Sequence, residues 1–137
     1  MIAFHLETKF KLKNESVLPR WIEFSIHQEN KELGEVNYIF CNDDYLLEKN
    51  IKYLKHNTLT DIISFDYTLG NVISGDIFIS IERVVDNAKE LMIDFDDELH
   101  RVMIHGILHY CGYKDKIDAD KSLMRSKEDY YLSLRKF

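Results

Sequence analysis

The sequence predicts an α+β fold: a single domain over residues 1–137, with a small mixed sheet of about four strands covered by helices and one helix buried in the core. Three observations predict it. Runs of apolar residues at even spacing alternate along the chain with runs at helical spacing, as half-buried strands and amphipathic helices require. A length of 137 residues with 45% hydrophobic and 31% charged side chains is that of one ordinary globular domain with a proper core. Finally, nearly every residue from Val102 to Cys111 that is not His or Gly is apolar, and a helix apolar almost all round belongs inside a core.

Taken in order, Phe4, Leu6, Phe10 and Leu12 are separated by even steps and predict a first strand. Leu18, Trp21, Ile22 and Ile26 repeat at helical spacing, which predicts a helix over roughly 16–30. The only proline, Pro19, sits near its start, where a missing N–H does little harm. Gly34 precedes a second strand, 35–41, and Asp43 and Asp44 are placed to cap a helix carrying Leu46, Leu47, Ile51 and Leu54. Residues 62–67 and 72–80, separated by a Gly-Asn pair, predict a hairpin with a loose loop. Ser80 can cap a helix reaching Met92, with Val84, Val85, Ala88 and Leu91 on its apolar face. Asp94, Asp96, Asp97 and Glu98 crowd the start of the following helix, where carboxylates complement the dipole. A last helix, about 118–134, turns Leu123, Met124, Tyr130 and Leu134 to the core.

The buried helix carries His105 and His109. Residues four apart on a helix are neighbours, with β-carbons ~5–6 Å apart, so the two imidazoles project side by side. Buried polar groups need partners, and a metal ion satisfies both rings at once. An i,i+4 histidine pair alone is common on helix surfaces; here apolar surroundings, a glycine and a following acid accompany it. Gly112 can take the left-handed conformation that ends a helix, and the reversal brings Asp115 back as a third ligand. His105, His109 and Asp115 leave one tetrahedral position for water, the arrangement of a catalytic rather than a structural zinc. Gly106 costs the helix ~1 kcal/mol relative to alanine and so marks a close approach by another backbone or a substrate. Cys111, two residues past His109, lies on another side of the helix; with Cys41 it reads as a small buried hydrophobe. His5, His27 and His100 have no partner at ligand spacing and read as incidental.

The net charge of −6 argues against a general nucleic-acid binder, whose affinity comes from Lys and Arg on phosphates. Local clusters remain: Lys114, Lys116, Lys121, Arg125 and Lys127 follow the histidines, and Lys49, Lys52 and Lys55 precede residue 60. Taken singly, each reads as part of a solvated face balanced by acids such as Asp118, Asp120, Glu128 and Asp129. The first residues lack the pattern of a signal peptide and no run is long enough to cross a bilayer, so a cytoplasmic protein without a membrane partner is expected.

The segment His105-Gly-Ile-Leu-His109-Tyr-Cys-Gly112-Tyr-Lys-Asp115 resembles the HGxLHLxGYDH signature of the YbeY family of bacterial ribosomal-RNA maturation factors. Thr60-Asp61-Ile62-Ile63-Ser64-Phe65 resembles the family's TDVLSF, and Gly75-Asp76-Ile77-Phe78-Ile79-Ser80 its GDIxIS. The blocks fall in family order, and the resemblance runs from about Asn42 to Tyr130. It implies a small α+β fold with the metal helix across the sheet. It further implies a metal-dependent, single-strand-specific endoribonuclease acting in ribosomal-RNA maturation, including 16S rRNA 3′-end processing, and in ribosome quality control. The implied partners are ribosomal RNA or its precursor and ribosomal small-subunit proteins. The family's third metal-binding histidine falls on Asp115, and its arginine, in the segment YRxxDxPTD, falls on Leu54. Lys55 and His56 are the candidate stand-ins for that arginine, with Lys114 and Lys116 as further RNA contacts.

The expected cofactor is one divalent ion, zinc first, although nickel, manganese or iron would accept the same donors. Water on an ion held by His105, His109 and Asp115 falls in pKa from about 15.7 towards ~7, which makes a nucleophile for a phosphodiester. No general base is visible in the motif. The glutamate that serves an HExxH peptidase is replaced by Gly106, which weakens a peptidase reading. Asp61 and Ser64, and likewise Asp76, read more safely as turn and strand residues than as supports of a ligand. Two alternatives stand beside the nuclease: a non-catalytic ribosome-assembly factor with a structural metal, and a metal hydrolase of another substrate class.

Overall fold

The computed structural model describes all residues 1–137. Four strands, β1 (Ile2–Leu6), β2 (Glu32–Cys41), β3 (Ile62–Asp66) and β4 (Val72–Ser80), form one mixed sheet in the order β1-β2-β4-β3. β1 and β4 both run parallel to β2, and β3 is antiparallel to β4. Five α-helices complete the chain: α1 (Leu18–Gln28), α2 (Asp43–Lys49), α3 (Ile81–Leu91), α4 (Phe95–Tyr110) and α5 (Asp118–Ser133). This is the α+β architecture that the alternating periodicities predict. No helix is long and apolar enough to cross a membrane.

Period-two alternation decides what each face of the sheet buries. Val36, Tyr38, Phe40, Ile73, Ile77 and Ile79 point into the main core with Leu18, Trp21, Ile22 and Ile26 of α1 and the apolar side of α4. On the opposite face Cys41 and Ile63, with Phe65 and Phe78 packed on them, meet Leu46 of α2. α4 is thus covered on most sides: Leu99, Val102, Met103, Ile104, Ile107 and Leu108 are all buried. The hydroxyl of buried Tyr38 donates to the carbonyl of Met103 at 2.9 Å, a polar tie between β2 and α4 inside the core.

Some local features differ from the pattern in the sequence. β1 stops at Leu6, because its partner β2 ends at Cys41 and pairing from Ile2↔Val36 to Leu6↔Phe40 exhausts it. Phe10 and Leu12 are instead loop residues whose side chains close the core, Phe10 against the rings of Phe40 and Phe95. α2 is capped by Asn42, whose side chain accepts from the Tyr45 N–H at 2.9 Å. Asp43 accepts from Ser80 Oγ and Arg83 Nε, so it fastens the start of α3 rather than its own helix. α2 runs into a π-helical turn over Asn50–Leu54 that ends with Lys55 in the left-handed conformation. Ser80 caps α3 as expected, accepting from the Arg83 N–H.

His100, on the far side of α4, is a core residue. It is 3% exposed, lies against Trp21 and Phe137, and accepts at Nδ1 from Arg135 at 2.7 Å. Burial, and then the Arg135 charge, pull its pKa from 6.5 down to about 4. The unfolded chain therefore takes up this proton at a higher pH than the folded one. The stability His100 contributes is complete above pH 6.5 and is lost as pH falls through about 4. The full loss is roughly 3 kcal/mol. Thermal melts from about pH 7 to about pH 4.5 are expected to show a falling Tm, and His100→Gln is expected to flatten that fall.

Candidate metal centre

One stripe of α4 escapes the core. Glu98, Arg101, His105 and His109 follow one another at steps of three and four, so they stack along a single side of the helix. Gly112 ends α4 in the left-handed region at φ 106°, with its N–H on His109 O and the Tyr113 N–H on Leu108 O. The chain turns back at once, and Asp115 meets the two histidines.

The three ligand atoms form a compact triangle. His105 Nε2 is 3.0 Å from His109 Nε2 and 3.1 Å from Asp115 Oδ2, and His109 Nε2 is 3.2 Å from the same oxygen. Tetrahedral zinc with bonds of ~2.0–2.1 Å has ligand atoms roughly 3.3 Å apart, close to these edges. The protonation pattern fits too. His105 Nδ1 lies 2.7 Å from Glu128 Oε2, and Glu128 is 6% exposed at its side chain. A carboxylate at that position takes the Nδ1–H and leaves Nε2 as the lone pair that faces the triangle. Burial by itself would lower the His105 pKa; the Glu128 hydrogen bond, with the charges of Glu128, Asp115 and Asp61, outweighs it and holds the pKa above its ordinary value. His105, His109 and Asp115 can therefore hold one divalent ion, with Glu128 orienting the first ligand.

The triangle opens into a cleft of about 470 Å³ between α4, α5 and the start of β3. Thr60, Asp61 and Ser64 line it, and Asp61 also accepts from Asn87 Nδ2. Burial raises the pKa of Asp61, against the lowering pull of His105, and burial likewise raises that of Glu98 despite Arg101. Arg101 reaches Glu128 at 3.0 Å and Asp129 at 2.9 Å. Glu98 Oε1 and Arg101 Nε, 3.8 Å apart, are buried without hydrogen-bond partners. Arg125 also lines the cleft.

Other residues singled out in the sequence lie elsewhere. Lys55, His56, Lys114 and Lys116 are exposed and are not among the lining residues. Asp76 accepts from Asn37 on the sheet. The Cys111 thiol, half-buried, is pushed up to about 12 by burial and stands outside the ligand group. Gly106 faces the sheet: a β-carbon there would sit 3.0 Å from Ile77 Cδ1 and 3.2 Å from Ile62 Cδ1. Close helix–sheet packing, rather than a backbone or substrate approach, explains that glycine. Glu128 and Arg101 carry parts of the site that the sequence reading passes over. Arg101 was legible as the residue four before His105; nothing local points from Glu128 to α4.

Known proteins share this arrangement of chain. The family described as Endoribonuclease YbeY matches residues 2–135. The Endoribonuclease YbeY of Flavobacterium johnsoniae is 60% identical over 134 residues, covering 98% of this chain and 96% of the relative. That of Christiangramia forsetii is 52% identical, covering 97% and 93%, and that of Bacteroides thetaiotaomicron is 47% identical, covering 84% of each. The solution structure of TM1509 from Thermotoga maritima is similar with a TM-score of 0.68 at 28% identity, over 97% of this chain and 87% of that one.

The Glu128–His105 contact makes a direct test of the metal centre. Glu128→Ala is expected to weaken zinc binding by about 10- to 100-fold in competition with a chromophoric chelator. Glu128→Gln retains an acceptor and should lose less, and Cys111→Ser should bind as wild type does.

Proposed function

The chain belongs to the YbeY endoribonuclease family, and from that premise we propose that it is a metal-dependent endoribonuclease specific for single-stranded RNA. Its substrate is ribosomal RNA or its precursor, and its role is rRNA maturation, including 16S rRNA 3′-end processing, and ribosome quality control. Residues 1–137 work as one domain. The observation that carries the metal-dependent reading is the triangle of His105 Nε2, His109 Nε2 and Asp115 Oδ2, with Glu128 on the remaining nitrogen of His105.

We assign His105, His109 and Asp115 as ligands of one divalent ion, zinc by the nature of the donors. When bound, that ion supplies Lewis acidity, which acidifies water and draws charge from a phosphate oxygen. The protein's own residues do the rest. Glu128 fixes the ring of His105, and Arg101 in turn holds Glu128. Asp61 and Glu98, whose pKa values are raised by burial, are the carboxyls of the cleft wall able to hold a proton.

The wall also favours a nucleic acid over a peptide. Of the lining residues only Ile62 and Val102 are hydrophobic, so no apolar pocket selects a side chain, whereas phosphate and ribose find polar groups throughout. The relatives above are described as endoribonucleases, which favours the nuclease over a non-catalytic assembly factor or a hydrolase of another substrate class. Lys55, His56, Lys114 and Lys116, all exposed, are assigned to RNA beyond the cleft. An rRNA substrate implies action in the cytoplasm beside ribosomal small-subunit proteins.

Cleavage of a single-stranded rRNA fragment by wild type and His109→Ala, purified in parallel with metal content measured on the same samples, tests this. The expected result is cleavage with one metal per chain in wild type, an intact duplex control, and a rate at least about a hundredfold lower in a folded, metal-poor variant. Equal cleavage by both proteins would indicate a contaminating nuclease. Metal-loaded wild type that never cleaves would move the protein to the assembly-factor class.

A further inference from the structure

We infer that Arg125 is a phosphate-binding residue of this cleft, its guanidinium gripping a backbone phosphate of the RNA strand that lies over His105, His109 and Asp115. The inference rests on the nuclease reading above and names the contact by which the site holds its substrate. It starts from a charge problem. The cleft wall carries four carboxylates, Asp61, Glu98, Asp115 and Glu128, in a chain of net charge −6, yet the substrate is a polyanion. Phosphate affinity has to come from cations placed locally.

Two arginines line the cleft, and their situations are opposite. Arg101 is 18% exposed at its side chain, and both its Nη atoms are engaged, Nη1 by Glu128 and Nη2 by Asp129. Its donors are committed to holding Glu128 in place. Arg125 is 56% exposed and makes no hydrogen bond; its only ion pair is Nε to Glu128 Oε1 at 3.9 Å. At 3.9 Å and with its arginine in solvent, that pair contributes little to stability. Both Nη groups of Arg125 are free. A planar guanidinium with two free N–H-bearing arms is the donor that matches two phosphate oxygens.

The position of Arg125 follows from α5. It precedes Glu128 by one turn, so the two share a face of the helix, and Glu128 is the residue that touches His105. The side chain is thus rooted beside Glu128 on the cleft wall and extends into solvent. A bland reading is that Arg125 only screens the buried carboxylate of Glu128. The two differ in what salt does to the reaction, because only a phosphate contact releases counterions from the RNA.

The test is steady-state cleavage of a single-stranded RNA oligonucleotide by zinc-loaded wild type, Arg125→Ala, Arg125→Lys and the control Lys9→Ala, at several salt concentrations. Tm and metal content are recorded for each protein. For Arg125→Ala, kcat/KM is expected to fall on the order of tenfold, mainly through KM, with Tm and zinc stoichiometry kept. Its plot of log kcat/KM against log salt should be shallower by about 0.7, one phosphate contact on a single strand. Arg125→Lys should restore the slope but not the full rate, and Lys9→Ala should match wild type. Wild-type rate and slope in Arg125→Ala, or a loss with unchanged slope and lowered Tm or metal content, would overturn the inference while leaving the nuclease intact. Wild type that neither binds nor cleaves the oligonucleotide would sink the nuclease reading itself.

Discussion

The 2.7 Å contact between His105 Nδ1 and Glu128 Oε2 joins the chemistry of this protein to its fold. It spans two helices, and it sets which nitrogen of His105 faces the other ligands. Everything that positions α5 therefore positions the candidate metal centre. Trp21 Nε1 of α1 donates to the carbonyl of Tyr131 at 2.8 Å, and Glu29, just past α1, accepts from the hydroxyls of Tyr113 and Tyr131. These bonds clasp α5 and the turn after α4 to α1. Met124 and Tyr131 are buried with Glu128 on the same helix. A charged residue in such a setting needs partners, and His105 and Arg101 supply them.

α4 shows how one helix reconciles a core with a reactive site. Most of its surface must be apolar because sheet, α1, α3 and α5 surround it. The stripe through Glu98, Arg101, His105 and His109 is polar, and periodicity lines these side chains up along the cleft. The same burial raises the cost of leaving Glu98 Oε1 and Arg101 Nε without partners. The two atoms face each other at 3.8 Å on the cleft wall.

What the sequence made legible was whatever is local. The His105–His109 pair, the Gly112 reversal and the return of Asp115 lie within one helix end, where spacing and backbone preference suffice. The sheet strands and all five helices were legible for the same reason. What was not legible depends on contacts between distant segments. Glu128 is 23 residues from His105, and as a sequence position it is one acid among several on an amphipathic helix. The Phe10–Leu12 stretch keeps a strand's alternation but has no partner strand to pair with once β2 ends. Gly106 shows the right residue with the wrong cause: a close approach was expected, and the approaching atoms are the tips of Ile77 and Ile62. His100 looked incidental because nothing near it in sequence announces Arg135 or Trp21.

The acid at position 115 connects the ligand set to the rest of the cleft. The short Asp115 side chain places its Oδ2 at 3.1 and 3.2 Å from the two imidazole nitrogens, so the turn after Gly112 is tight enough for a carboxylate to close the triangle. The exchange of a neutral imidazole for a carboxylate lowers the net charge of a dication and its ligands by one unit. With a dication bound, this would weaken the attraction of the site for a phosphate and its power to acidify water, since both scale with the local positive charge. Glu98, Asp61 and Glu128 push in the same direction. In a wall so rich in carboxylates, an arginine with uncommitted donors at the rim acquires its importance. It returns near the strand the positive charge that the ligand set gives up.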